Sequence, residues 1–145
     1  MGERTEPEER RFLLETRPGG RPGTVVLVLN GELDHDTVAP LRTALTAHRE
    51  AARVVVDCSG LRFCDSTGLN VLLKARRRML ATGGRVDLSG LQPPVDRMLQ
   101  ITGARSVFRV YADPGSAFDD EPGADRPAPP AGEAVPEGSP PEGSA

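Results

Sequence analysis

An α/β fold is what this sequence predicts: one mixed sheet of four to five strands with helices packed mainly on one face. Three observations carry that expectation. β-branched apolar runs at 24–30 and 53–57 are bounded by turn residues, the pattern of buried strands. Between the later runs, apolar residues recur with a helical period. Strands separated by helices pair in parallel, and right-handed crossovers keep the helices on one side of the sheet.

Taken in order, Phe12-Leu13-Leu14 within 11–16 suits an edge strand, and the Pro- and Gly-rich stretch 18–23 forces a turn. Thr24 to Asn30 is the next strand, expected to complete a hairpin. After Gly31-Glu32-Leu33-Asp34 the period changes: Val38, Leu41, Leu45 and His48 fall three, four and three apart, on one helical face. Asp36 or Thr37 is placed to cap that helix, and Pro40 is tolerated in its first turn. His48 reads as structural. Arg53 to Asp57 is a strand apolar enough to lie centrally, 58–65 reads as a turn, and Ser66 opens a second helix. Leu69, Leu72, Leu73, Met79 and Leu80 line its inner face, Arg76, Arg77 and Arg78 read as a solvated face, and Gly83-Gly84 stops it. Arg85 to Leu88 is a strand. Pro93 or Pro94 starts a short helix carrying Val95, Met98, Leu99 and Ile101, which Thr102-Gly103 ends, and 106–111 supplies the last strand.

The ends have a different composition. Residues 113–145 are dominated by Pro, Gly, Ala, Ser, Asp and Glu, with Phe118 and Val135 the only large apolar side chains. Such a segment buries too little apolar surface to offset the entropy of ordering it. The expected organisation is a disordered arm at 1–10, one folded domain at 11–112 and a disordered acidic tail at 113–145. The tail holds eight carboxylates against Arg126 alone while the whole chain carries −3, so the body is net basic and suited to an acidic protein partner. Nucleic acid is a poor match, because Trp is absent, Tyr111 is the single Tyr and no basic run is interleaved with aromatics. Cys58 and Cys64, six apart with no nearby His, fit neither a metal site nor a disulfide framework, so reduced, buried thiols are expected. No apolar run reaches the roughly 18 residues needed to span a bilayer, and no signal-peptide core is present. A cytoplasmic protein without cofactor is expected.

One segment carries more than a connection needs. Asp65-Ser66-Thr67-Gly68-Leu69 opens a helix, where unpaired backbone N–H groups and a partial positive charge accommodate anions. A hydroxyl there is a good place for a phosphate, and Gly68 would allow close approach by a partner backbone. Equally, Asp65, Ser66 and Thr67 all have the chemistry of simple helix caps. Both readings stand on the residues alone.

Gly31-Glu32-Leu33-Asp34-His35-Asp36-Thr37 before an amphipathic helix, with Asp65-Ser66-Thr67-Gly68-Leu69 some thirty residues later, resembles the STAS-domain anti-sigma factor antagonists. The likeness spans about 12–111, making 11–112 a STAS-like domain. It implies a partner-switching cycle. The antagonist binds an anti-sigma factor that is also a serine kinase, the kinase phosphorylates Ser66, and a serine phosphatase restores binding. The same likeness puts Asp34, Asp36, Asp65, Ser66, Thr67 and Gly68 at the partner surface, and the neighbouring hydroxyl of Thr67 is the candidate secondary acceptor.

Catalysis fits poorly. Asp65-Ser66-Thr67-Gly68 is one residue longer than the turn of aspartic proteases and has no second copy. Cys64 stands where a nucleophile elbow needs glycine, and neither His35 nor His48 has a triad context. No phosphate-binding Gly-Lys-Ser/Thr loop occurs. A scaffold or sensory module of the same fold, or a small-ligand-binding STAS domain, are the alternatives.

Overall fold

The computed structural model describes residues 11–119. Strands β1 (Phe12–Pro18) and β2 (Thr24–Leu33) form an antiparallel hairpin, Phe12 opposite Gly31 and Pro18 opposite Val25. Then follow α1 (Ala39–Ala47), β3 (Arg53–Cys64), α2 (Ser66–Ala81), β4 (Arg85–Ser89), α3 (Pro93–Thr102), a 3-10 turn (Ala104–Ser106), β5 (Val110–Tyr111) and α4 (Pro114–Asp119). The five strands lie in sequence order, and every pair after the hairpin is parallel. A sheet that advances one strand at a time through right-handed crossovers must put α1, α2 and α3 on the same face.

Alternation along the strands divides the sheet into two unequal sides. Leu27, Leu29, Val54, Val56, Val86 and Leu88 point to the helix side and form the main core. Leu41 and Leu45 of α1, Leu69, Leu72 and Met79 of α2, and Val95 and Leu99 of α3 fill that core from above. On the opposite face, among the described residues, Val26, Val55 and Ala117 form a small second cluster, flanked by Val28 and Tyr111.

That second cluster corrects the expected boundary at 112. Pro114–Asp119 is a helix, and Ala117 is fully buried against the back of the sheet. Its carbonyl accepts a 2.7 Å hydrogen bond from Nη1 of Arg53, whose Nε donates to Asp87 at 2.8 Å. Composition misled here because a small residue, Ala117, and its backbone carbonyl make contacts that a count of large apolar side chains does not register. The proposed arm at 1–10, and the rest of the proposed tail, lie outside the described residues.

Other expectations shift by segments. β2 runs on to Leu33, and 58–64, read as a turn, continues β3. The turn-forming chemistry at Asp57-Cys58-Ser59-Gly60 serves an irregularity instead: Asp57 Oδ1 accepts from the Ser59 N–H and hydroxyl, and the pairing slips between Val28 and Asn30. A Cβ on Gly60 would lie 1.9 Å from Oδ1 of Asn30 and 3.0 Å from the Leu29 carbonyl oxygen, so glycine lets the two strands pack closely here. The last strand is only Val110–Tyr111, because 104–106 form a 3-10 turn. Leu80, expected inside, is 48% exposed. Arg76 is half-buried, its guanidinium over the Phe108 ring at 6.0 Å, rather than solvated with Arg77 and Arg78.

Candidate functional site

The ends of β2 and β3 coincide. Leu33 pairs with Cys64, and the Asp65 N–H donates to the Leu33 carbonyl at 3.0 Å. The chain therefore leaves two neighbouring parallel strands at the same level, and both strand-to-helix turns sit side by side at the carboxyl end of the sheet. In open α/β sheets this is the end where ligands and partners are met.

The second turn is a compact helix start. Asp65 is the N-cap of α2, extended at φ −95°, and its Oδ1 accepts the Gly68 N–H at 3.0 Å. Once Asp65 takes that duty, the neighbouring hydroxyls are released from capping. Ser66 is exposed and its side chain makes no hydrogen bond among the described residues, while Thr67 is half-buried. Gly68 is buried, and a Cβ there would lie 2.7 Å from Cδ2 of Leu33 and 3.0 Å from Sγ of Cys64. Its missing side chain makes room for this chain's own core, which corrects the expectation that it opens space for a partner's backbone.

The first turn is built differently. Asp34 Oδ1 accepts the N–H groups of Asp36 and Thr37 at 2.9 and 3.1 Å. Thr37 answers in the other direction: its Oγ1 accepts the Asp34 N–H at 2.9 Å and donates to the Glu32 carbonyl at 2.8 Å. Arg11 closes the arrangement by bonding Oδ2 of Asp34 and, more loosely, Glu32 at 3.4 Å. Neither Asp36 nor Thr37 caps α1, whose N-cap is Val38 with no side-chain bond. Of the two carboxylates of this turn expected at a contact surface, Asp34 is committed to the turn. Asp36 is exposed, with His35 Nε2 at 3.4 Å from its Oδ1.

Thr37 is the residue that sequence reading undervalued. It is buried at 6% exposure and ties the turn back to the backbone of Glu32 and Asp34. The signal was present in the Asp34-x-x-Thr37 spacing, which permits reciprocal side-chain to backbone bonding. Arg11 had no such signal, since its partner stands 23 residues away.

Charge follows from these contacts. Burial by itself would raise the Asp34 pKa, but the Asp36 N–H, the Arg11 guanidinium and the Thr37 hydroxyl outweigh it and hold the carboxyl below its ordinary value. Beneath the second turn, Cys64 and Cys58 are buried free thiols. Burial pushes the Cys64 thiol up to about 12, with Asp65 adding to the effect, and raises Cys58 as well. Both are protonated and unreactive at neutral pH. No helix among the described residues is long and apolar enough to cross a membrane.

A single five-stranded sheet, helices on one main face and two adjoining Asp-headed turns define a STAS domain. The family model described as "Mlab, STAS domain" matches residues 17–109. The anti-sigma F factor antagonist of Paenibacillus polymyxa is 30% identical over 92 residues, 61% of this chain and 79% of that protein. Among solved structures, the unphosphorylated form of the anti-sigma factor antagonist SpoIIAA superposes with a TM-score of 0.63 at 29% identity, covering 74% of this chain and 93% of that one. The phosphorylated form of the Bacillus cell fate determinant SpoIIAA gives 0.59 at 29% identity, covering 74% and 96%. The chain belongs to the STAS-domain anti-sigma factor antagonist family.

Proposed function

We propose that this protein is a partner switch: unphosphorylated, it binds an anti-sigma factor that is also a serine kinase, and phosphorylation of Ser66 by that kinase weakens the complex. A serine phosphatase reverses the modification. The observation that carries this reading is the state of one hydroxyl. Ser66 is exposed at the start of α2 and its side chain makes no hydrogen bond among the described residues, Asp65 being the cap of the helix. Asp36 and Thr67 flank the contact, and Thr67 is the secondary acceptor.

The physics of the switch is local. Phosphorylation adds about −1.5 to −2 charge at neutral pH. At a helix N-terminus that charge is tolerated by the isolated domain, so the fold survives. Against a partner, the phosphate must lose water beside Asp65, and an uncompensated buried charge costs several kcal/mol. A loss of about 2.7 kcal/mol already lowers affinity a hundredfold. No large change of shape is needed.

The test is a pull-down from cells with the Ser66→Ala chain, with bound proteins identified by mass spectrometry, then titration of the recovered anti-sigma factor. Ser66→Ala should bind and resist inactivation by kinase and ATP; Ser66→Asp should bind about a hundredfold more weakly. Equal affinities for the two variants would refute the switch. Phosphopeptide mapping of the wild-type chain decides between Ser66 and Thr67.

A further inference from the structure

Beside the Ser66 turn lies a groove of about 450 Å3, lined by Phe63, Cys64, Pro93, Pro94, Arg97 and Met98. Its walls are the end of β3 and the first turns of α3. Phe63 is 48% exposed, Pro93 and Pro94 are exposed, and Met98 is half-buried. A folded chain leaves single apolar residues at its surface routinely, but contiguous exposed carbon marks a contact surface.

The groove is held in shape from below. Val95 and Leu99 anchor α3 in the main core, prolines fix the backbone of its first turn, and the Gln92 side chain donates to the Ser59 carbonyl of β3. It also adjoins the switch, because Cys64 in its wall stands two residues before Ser66. Charge specifies what fits. Arg97 lines the groove and is exposed, and Arg62, next to Phe63, is exposed as well. The nearest carboxylate on α3, Asp96, is turned to other partners, accepting from Arg105 at 2.8 Å and from Gln100 at 3.2 Å. Arg97 is the one charged group among the lining residues, whereas small-molecule pockets gather several polar groups to orient a ligand.

We infer that this groove seats an apolar side chain of the anti-sigma factor, presented next to a carboxylate that meets Arg97. The inference rests on the reading of Ser66 as the point of contact with that partner. It adds a division of labour. The groove supplies an anchor of the aromatic and arginine type that dominates binding energy, and the Ser66 turn supplies the term that phosphorylation subtracts.

The experiment measures binding of the full chain to the anti-sigma factor recovered with Ser66→Ala. Phe63→Ala and Arg97→Glu should each weaken binding at least tenfold, while Leu13→Ala, on the far edge strand and 61% exposed, should stay within twofold. Arg97 is exposed and its side chain makes no hydrogen bond among the described residues, so its variant folds even if Phe63→Ala proves unstable. If both groove variants bind like wild type while Ser66→Asp loses affinity, the groove inference is wrong and the Ser66 reading stands. If Ser66→Asp also binds like wild type, that reading is wrong too. Phe63-dependent dimerisation of the chain alone, seen by sedimentation, would give the groove to a second copy and overturn the assignment.

Discussion

The two turns at the carboxyl end of the sheet begin alike and finish differently. Each opens with an aspartate at the same level of neighbouring parallel strands, and each aspartate accepts backbone N–H groups just ahead of it. In the first turn the following hydroxyl, Thr37, is buried and bonded in both directions. In the second, the hydroxyl of Ser66 is left in solvent. The difference teaches that the aspartate is the shared structural part, whereas the fate of the hydroxyl separates a strut from a chemical handle.

That contrast orders the expected effects of mutation. Asp34→Ala removes the carboxylate that accepts two backbone N–H groups and pairs with Arg11, and should cost about 2–3 kcal/mol in urea unfolding, since bonds to charged groups are worth about 1.5–3 kcal/mol. Gly68→Ala pushes a methyl group into Leu33 and Cys64 and should cost about 1–3 kcal/mol, read as a lowered melting temperature. Asp65→Ala removes one helix cap and should cost about 1 kcal/mol; a larger loss than that of Asp34→Ala would break the comparison. Ser66→Ala should stay within about 0.5 kcal/mol of wild type.

A pH series sharpens the same contrast. The folded pKa of Asp34 lies below its unfolded value, so its stabilisation is complete above the unfolded pKa of about 3.9 and is lost as pH falls through the folded pKa. The gap in urea midpoint between wild type and Asp34→Asn should be widest at neutral pH and close toward pH 3. A gap that grows on acidification would contradict the Arg11 and backbone contacts.

How much of this was legible beforehand follows from the range of each interaction. The sheet and its three front helices were readable because strand and helix periods are local, and the Asp65 cap was readable for the same reason. The course of β3 through 58–64 was not, because Ser59 and Gly60 have turn chemistry and only the neighbouring Asn30 and Leu29 show that a glycine is needed for close packing. Leu80 was assigned inward by spacing alone, which gives a face but not where the neighbouring layer ends. Arg11 against Asp34 and Arg53 against Ala117 join residues 23 and 64 apart, and no window of sequence contains such a pair.

The Arg53 contact sets an order on the making of the molecule. A positive charge in the central strand meets one of its oxygen acceptors only when residue 117 arrives. A nascent chain that has emerged as far as Ala112 holds the five strands, yet would have to bury that guanidinium with its carbonyl partner still inside the ribosome. Closure of the rear of the sheet is therefore timed by the helix at Pro114–Asp119, and a message cut short just before it would yield a protein with both Asp-headed turns complete and its back door open.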